Sequence, residues 1–522
     1  MSSDCIFEDV ACTHSDFLRD ESRRTGSAAA LALPHTGSEI VAALDVARER
    51  GWAVTVQGGR TGLTGGAVPD GGLIINLSRM NRVSGMRQTG DGRFTVTVQP
   101  GVILQDLRRM LTAREFDTTG WSMESLTALA ALRAAPPQFF PPDPTETTAT
   151  LGGMAACNAS GACTFRYGAM RQHIAGLRLM LPDGDVVALR RGAVRAQGRA
   201  FMLETEGHRR LAGRLPDYTM PDTKNAAGYF AADNMDLVDL FIGSEGTLGI
   251  FSGLELQLQP EPAVRWGLMF FFPDQAAAVQ WVIAARATGG TRLAALEFFD
   301  SHALNLLRRE RSNIAAISAL PELPPHFHTA VYAELHAPDD DAAAAAAEKL
   351  SDCGAAEKQS WLATTERDMD KFKAFRHALP EAVNRLIDER RKNEPALTKL
   401  GTDMAVPDAH LAVMLERYRR DLKAAGLDYV IFGHIGSNHL HVNILPSSTA
   451  DCRKGCELYL EWARTAVRLG GTVSAEHGIG KLKAPMLEIM FGPRGIGEMR
   501  ALRQVFDPEQ RLNPGNLFGA CT

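Results

Sequence analysis

Three imidazoles fall within eight residues in the stretch YVIFGHIGSNHLHVNIL, residues 429–445: His434, His439 and His441, with Asn443 two places further on. Side chains alternate along a strand, so His439, His441 and Asn443 share one face. Gly436-Ser437-Asn438 is turn chemistry that folds His434 back beside them, so that imidazoles from two arms of a hairpin meet at one point. A second piece, GGTVSAEHGIGK at 470–481, holds Glu476 and His477 side by side between glycines. One carboxylate with two imidazoles is the ligand set of a divalent centre that keeps a position open for substrate. Spacing alone leaves open whether His439 or His441 completes it. A single buried histidine is ordinarily a hydrogen-bonded structural residue; the density of this cluster is what argues for chemistry.

A different chemistry is written in glycine. Residues 57–66 read QGGRTGLTGG between the strand-like AVTV and LIINLS. A dinucleotide fingerprint of the Rossmann kind leads into a helix, and here the spacing differs and a strand follows. Consecutive small residues can instead gather backbone N–H groups into an anion-binding concavity; a long hairpin loop is the plainer reading. Two further clusters tip the balance. TLGGMAACNASGACTFRYGAMRQHI at 150–174 and IGSEGTLGI at 242–250 repeat the small, polar pattern, and small side chains let backbone approach a ligand closely. Three such loops in one β-rich stretch point to a large phosphate-bearing cofactor along its edge.

The elements that must position these groups follow from the pattern along the chain. From 51 to about 260, short β-rich runs (AVTVQ, LIINLS, FTVTVQPG, LRLMLPDGDVVAL, LFIGSEGTLGIFSGLELQLQP) alternate with glycine turns, and Asp91-Gly92 and Asp183-Gly184 read as hairpin signals. From about 263 helical stretches alternate with strands such as HTAVYAELHAP, marking a second, α+β unit. The alanine run 342–347 reads as a surface helix, 121–141 as a helix followed by a proline-rich loop, and FDPEQRLNPGNLF as a turn-built tail. At 522 residues the chain holds two large or three to four ordinary domains. With 45% hydrophobic and 22% charged residues it is ordinary globular material. A net charge of -5 without a basic run at either end gives no support to nucleic-acid binding. The eight cysteines form no framework, which fits a reducing compartment, and Cys452 and Cys456 alone cannot build a zinc knuckle or an iron–sulfur set. No signal peptide and no membrane span is legible, so the chain reads as cytoplasmic, with peripheral attachment left open.

In these motifs, taken in order from about residue 30 to the C-terminus, the sequence resembles the flavin-dependent D-2-hydroxyacid dehydrogenases of the vanillyl-alcohol-oxidase superfamily, which include D-lactate dehydrogenase, D-2-hydroxyglutarate dehydrogenase and the glycolate oxidase catalytic subunit. The resemblance implies an α+β protein: a two-part PCMH-type FAD-binding domain over 1–262, a ferredoxin-like substrate cap over 263–490, and a segment 491–522 that returns to the FAD domain. It implies FAD held on Gln57, Gly58, Gly59, Arg60, Thr61, Gly62 and Leu63, with further contacts from Pro142, Asp143, Gly152, Gly153, Asn158, Ser160, Arg166, Gly168, Ile174, Glu245, Gly246, Ile250 and Asn513. Some superfamily members link flavin to a histidine in the first loop; residues 51–72 contain none, so non-covalent FAD is expected. It assigns His434, His441 and Glu476 to a divalent metal, expected to be Zn2+, and His477 to proton abstraction. Arg376 and Lys399 are implied for the substrate carboxylate, with Asn443 beside them, and KNAAGYF at 224–230 matches a segment that approaches flavin or substrate, Tyr229 being equally readable as packing. Two departures stand out. Arg60 occupies a place where the family more often has a small residue, and Ser437-Asn438-His439 stands where most relatives have Asp-Gly-Asn.

The implied reaction is oxidation of a small 2-hydroxy acid, D-lactate-like, to the 2-oxo acid. A metal stabilises the developing alkoxide, His477 takes the hydroxyl proton and a hydride passes to flavin N5. A separate acceptor, a quinone, cytochrome or electron-transfer protein, then takes the electrons, and a homodimer is compatible with the family. Three other readings compete: an oxidase that delivers electrons to oxygen, a metallohydrolase in which His477 activates water, and a non-catalytic flavin-binding subunit of a larger complex.

Overall fold

A computed structural model of the chain describes residues 6–289, 292–318, 321–354 and 360–519. Near the N-terminus, the strands Ile6–Glu8, Ala30–Ala32, Leu73–Asn76 and Val54–Gln57 form one sheet in that spatial order, the last three mutually parallel. The crossover helix Gly37–Glu49 is capped by Thr36, whose side chain accepts from Glu39 N, and buries Ile40, Ala43, Leu44 and Ala47. That spacing of three and four is the apolar stripe of a helix laid on a sheet. The glycine loop 58–72 therefore hangs between two parallel strands.

The second sheet has five antiparallel strands in the order Val83–Gln88, Phe94–Val98, Ile250–Gln257, Ile174–Met180, Val186–Arg190. Both hairpin signals lie at its turns, where Gly92 and Gly184 have φ of 81° and 86°. The helix Met123–Ala134 packs Leu129 and Leu132 into the same core. The proline-rich stretch after it differs from expectation in one respect: Gln138–Phe139 pairs with Gln259–Pro260. The run around Leu240 differs too. Val238–Phe241 is a short helix rather than a strand; its neighbours are buried all round, so no period distinguishes the two.

The third sheet is antiparallel and seven-stranded: Ser360–Ala363, Val264–Phe272, Thr329–Ala337, Leu293–Phe299, Tyr429–His434, His439–Ile444, Leu400–Gly401. It is covered on both faces. Leu268, Phe270 and Phe272 join a cluster with Trp281, Val282 and Leu350 from the helices Gln275–Gly289 and Asp340–Asp352, whereas Met269 and Phe271 join Leu304, Phe375 and Leu379 from Ser301–Glu310 and Glu366–Arg391. Double coverage explains why WGLMFFF, 266–272, is an unbroken apolar run. The alanine run lies within the helix Asp340–Asp352, capped by Asp339.

The chain ends on the N-terminal sheet. After the helix Ala484–Phe506, interrupted at Gly492, Leu512 bridges in parallel to Val54, and Asn513 Oδ1 accepts from Val56 N at 2.7 Å. No helix among the described residues is long and apolar enough to cross a membrane. The six described cysteines are free thiols; Cys5 and Cys521 lie outside the described residues.

Candidate active site

The histidine cluster is built by strand register. Tyr429–His434 and His439–Ile444 are joined by the 3-10 turn Ile435–Ser437, with Asn438 in the left-handed region at φ 52°, and His434 pairs directly with His439. Directly opposed side chains share a face, and so do residues two apart, so His434, His439, His441 and Asn443 project together. The loop carrying Glu476 and His477 closes over them. Glu476 Oε2 lies 3.1 Å from His434 Nε2, 3.5 Å from His439 Nδ1 and 3.1 Å from Lys224 Nζ. One ligand atom from each of His434, His439, His441 and Glu476 falls within 4.8 Å of all the others.

Each imidazole is aimed by an outer partner. Glu297 Oε1 is 2.6 Å from His434 Nδ1, and the Thr402 carbonyl is 3.1 Å from His441 Nδ1. Asp403 Oδ1 is 2.9 Å from His439 Nε2, although without the alignment of a hydrogen bond. Asp403, fully buried, is the pivot of the loop. It accepts from Glu476 N, His477 N, Ser474 Oγ and Lys483 Nζ at 3.1, 3.0, 2.6 and 2.6 Å. His477 Nδ1 also faces it at 3.6 Å.

Electrostatics follow from burial and these partners. Burial opposes charge on Asp403, but His477, Lys483 and His439 outweigh it and hold the carboxyl well below its ordinary pKa. Burial likewise opposes charge on Glu476, but Lys224 and His434 hold it ionised, well below the usual range. His434 is pulled both ways: burial lowers its pKa, Glu297 and Glu476 raise it against Lys224, and it ends at about 9. His439 is lowered to about 4, chiefly by burial. His441 is also held well below its ordinary value, by burial and its three imidazole neighbours. His477 is also lowered, by burial and Lys483 against Asp403.

Opposite the cluster runs a groove of about 1020 Å3 lined by Gln57 to Thr64, Gly152, Gly153, Ser160, Glu245, Gly246 and Asn513 on one side, and by Arg376, Lys399, His434, His441, Asn443, Glu476 and His477 on the other. The amides of Arg60, Thr61, Gly62 and Leu63 donate to no described residue, and the buried Ser160 Oγ and Asn516 Oδ1 have no hydrogen-bonding partner among the described residues. Free amides beside orphaned hydroxyl and amide oxygens fit a long phosphate-bearing dinucleotide such as FAD.

The glycines act otherwise than small-residue logic suggests. A Cβ on Gly58 would meet Thr150 Oγ1 at 2.1 Å, one on Gly152 would meet Pro100 Cβ at 2.5 Å, and one on Gly161 the Asp143 carbonyl at 1.9 Å. Their smallness lets loop meet loop; Gly62, with nothing within 4 Å, opens to the groove.

The expected residues divide on inspection. Gln57 lines the groove, but its Nε2 is already committed to the carbonyls of Phe17 and Ala67 at 2.8 and 2.7 Å. Arg60 turns its guanidinium over the Phe17 ring, 4.3 Å from the centroid, and burial lowers its pKa. Glu245 accepts from Ile479 N and Gly480 N at 2.6 and 2.7 Å, tying a groove loop to the Glu476–His477 loop, and burial raises its pKa to about 7 against those two bonds and Lys483. Asn513 Nδ2 donates to the Glu245 carbonyl at 2.7 Å. Pro142, Asp143, Asn158, Arg166, Gly168, Ile174 and Ile250 do not line the groove. Asp143 accepts from Cys163 N, Arg166 donates to the His336 carbonyl at 2.9 Å, Ile174 and Ile250 open strands, and Asn158 and Gly168 line a separate cavity of about 580 Å3. Tyr229 is fully buried and bonded to Thr247 at 2.7 Å, which is packing.

Arg376 sits in the helix Glu366–Arg391, where Pro380 has no N–H to offer its carbonyl four residues back. Its guanidinium is 3.9 Å from Glu297 Oε2 and over Tyr332; burial opposes its charge, but Glu297, Tyr332, Glu334 and Asp143 hold its pKa above the ordinary value. Lys399 lines the groove with its pKa lowered by burial and by Arg23. Four residues at this site carry no motif in the sequence: Asp403, Lys224, Glu297 and Lys483. Lys224 lay inside the stretch 224–230, and Asp403 inside the stretch around Lys399, TKLGTDMAVP, where it is the lone acid.

Comparison with known proteins adds to this arrangement. The family described as "FAD binding domain" matches residues 28–126 and 121–190, and that described as "FAD linked oxidases, C-terminal domain" matches 261–517. The chain is 28% identical over 515 residues to the glycolate oxidase subunit GlcD of Bacillus subtilis (strain 168), covering 94% of this chain and 88% of that one. It is 29% identical over 514 residues to the D-2-hydroxyglutarate dehydrogenase of Xanthomonas citri pv. viticola, covering 96% and 91%. The 4-ethylphenol oxidase of Gulosibacter chungangensis, solved with isoeugenol, superposes with a TM-score of 0.63 at 17% identity over 99% of this chain and 95% of that one. At that identity what is shared is the fold, a PCMH-type flavin-binding architecture followed by mixed helix and sheet.

Proposed function

Because the chain belongs to the FAD-linked oxidase family, we propose that it oxidises a D-2-hydroxy acid, D-lactate-like, to the 2-oxo acid and passes the electrons to a separate acceptor. The observation that carries this reading is one cleft with two unlike walls: free amides and glycine loops on one side, imidazoles and carboxylates on the other. In this reading residues 1–262 hold FAD non-covalently, 263–490 cover the substrate, and 491–522 return to the flavin side.

When bound, FAD supplies a hydride acceptor at N5. A divalent ion, Zn2+ in this reading, supplies a Lewis acid at the hydroxyl oxygen, and the donor set fits it: two borderline nitrogens with a carboxylate, each aimed by an outer partner. His434, His441 and Glu476 would hold the ion. His477 keeps Nδ1 toward Asp403, which leaves Nε2 as the atom that takes the hydroxyl proton. Arg376, braced by Glu297, and Lys399 bind the substrate carboxylate, and Asn443 orients it from the histidine strand. The amides of residues 60–63 hold the cofactor phosphates.

The test is anaerobic mixing of the purified flavoprotein with D- and L-2-hydroxy acids. The flavin band should bleach with a D-acid, and His477→Ala should keep its flavin yet lose bleaching. Near-normal reduction of that variant at neutral pH would remove the base, and a colourless protein would remove the reading altogether.

A further inference from the structure

The geometry points to His439 as a third imidazole ligand, so that the ion is held by His434, His439, His441 and Glu476 rather than by two imidazoles and a carboxylate. This inference rests on the metal reading above and goes beyond it, since His439 has no role there.

His439 is fully buried; its Nε2 faces Asp403 Oδ1 at 2.9 Å out of hydrogen-bond alignment, and its Nδ1 has no hydrogen-bonding partner among the described residues. A buried imidazole nitrogen without a partner costs stability unless a group from outside the protein satisfies it. Its Nδ1 is 3.5 Å from Glu476 Oε2, the same oxygen that His434 Nε2 approaches at 3.1 Å. The rings of His439 and His441 are 4.4 Å apart, and those of His434 and His441 5.6 Å, so three imidazoles surround one point.

The outer groups repeat a similar logic. His434 turns Nδ1 to Glu297, His441 turns Nδ1 to the Thr402 carbonyl and His439 turns Nε2 toward Asp403; the other nitrogens of His434 and His439 lie 3.1 and 3.5 Å from Glu476 Oε2, and one ligand atom of His441 lies within 4.8 Å of theirs. Metal-bound histidines are characteristically oriented in this way, one nitrogen on the ion and the other on an acceptor. Positive charge is already drawn to the spot. Lys224 Nζ, with its side chain 3% exposed, sits 3.1 Å from Glu476 Oε2. An arriving ion therefore competes with that ammonium for one carboxylate oxygen, and a third neutral nitrogen strengthens its hand. Four protein donors also limit a tetrahedral ion to coordination expansion when substrate arrives, whereas three leave an open position.

The experiment uses the full chain with its flavin, stripped of metal by chelation and reloaded with one equivalent of Cu2+, whose electron spin-echo modulation counts coordinated imidazoles. The wild type should report three and His439→Asn two. In chelator competition, the Zn2+ affinity of His439→Asn should fall by about tenfold or more. A count of two in the wild type overturns the assignment of His439 while leaving the metal reading in place, and needs no variant to fold. Failure of the wild type to take up either ion stoichiometrically overturns both.

Discussion

The two walls of the cleft are made of different material. The wall assigned to flavin is backbone: loops drawn together by glycines at 58 and 152, with amides at 60–63 that donate to no described residue. The opposite wall is side chain, and its charges are matched before any ligand arrives. Glu476 faces His434 and Lys224, Asp403 faces Lys483 and His477, and Glu297 faces His434 and Arg376. One wall offers backbone donors and the other paired charges, the division that the proposed reaction asks of a binding wall and a reacting wall. Glu245 joins them, accepting from Ile479 N and Gly480 N just past the Glu476–His477 pair.

The largest break in this contrast should come from Asp403→Ala. It strands Lys483 as a buried ammonium and removes the acceptor for two amides and the Ser474 hydroxyl. Uncompensated charges of this kind cost about 3–5 kcal/mol. Denaturant unfolding should show that loss, and flavin reduction by the hydroxy acid should vanish while the folded fraction keeps its flavin. Loss of flavin in step with activity would mean that the two walls are one cooperative unit.

Glu245 tests the joint between the walls. Its folded pKa is raised from an ordinary 4.5 to about 7. The unfolded carboxyl ionises first, so the folded state binds the extra proton through that window. The associated stability is fully present below about pH 4.5 and is lost as pH rises through about 7. The size of the displacement corresponds to about 3 kcal/mol. Unfolding free energies of the wild type and Glu245→Gln, measured from pH 4.5 to 8, should diverge by about that amount over the range, with the wild type falling the more steeply. Parallel slopes would show that Glu245 is not held protonated by burial.

How much of this was legible depends on the same contrast. The histidine wall was readable because alternation and one turn fix where His434, His439, His441 and Asn443 point, and the adjacent Glu476-His477 pair advertises itself between glycines. What lay hidden there is the outer layer. Asp403 and Glu297 are single acids on other segments, brought in only by tertiary packing. The glycine wall was readable as composition but not as contacts. Asn158, Arg166 and Gly168 belong to the right stretch and lie off the groove, because the turn at 157–168 directs them elsewhere, and nothing in local spacing encodes that turn. Both hairpins were readable from Asp-Gly, where positive φ leaves glycine as the natural choice. The short helix at Val238–Phe241 was not, since uniform burial erases the period.

The smallest effects should separate two glycines four residues apart on the flavin wall. Gly58→Ala drives a methyl into Thr150, whose hydroxyl also caps the helix Leu151–Ala156 by accepting from Gly153 N. Overpacking at such a contact costs about 1–3 kcal/mol, and it should appear in the unfolding of the flavin-free protein. Gly62→Ala places its methyl in open space, with nothing within 4 Å. Its unfolding should stay within about 0.5 kcal/mol of the wild type. The methyl instead enters the volume assigned to cofactor, so flavin titration should weaken by about tenfold, or about 1.4 kcal/mol. If both substitutions act through stability alone, the amides of 60–63 are not the phosphate cradle. If Gly62→Ala weakens flavin without touching the fold, the socket is where the backbone, rather than any side chain, binds.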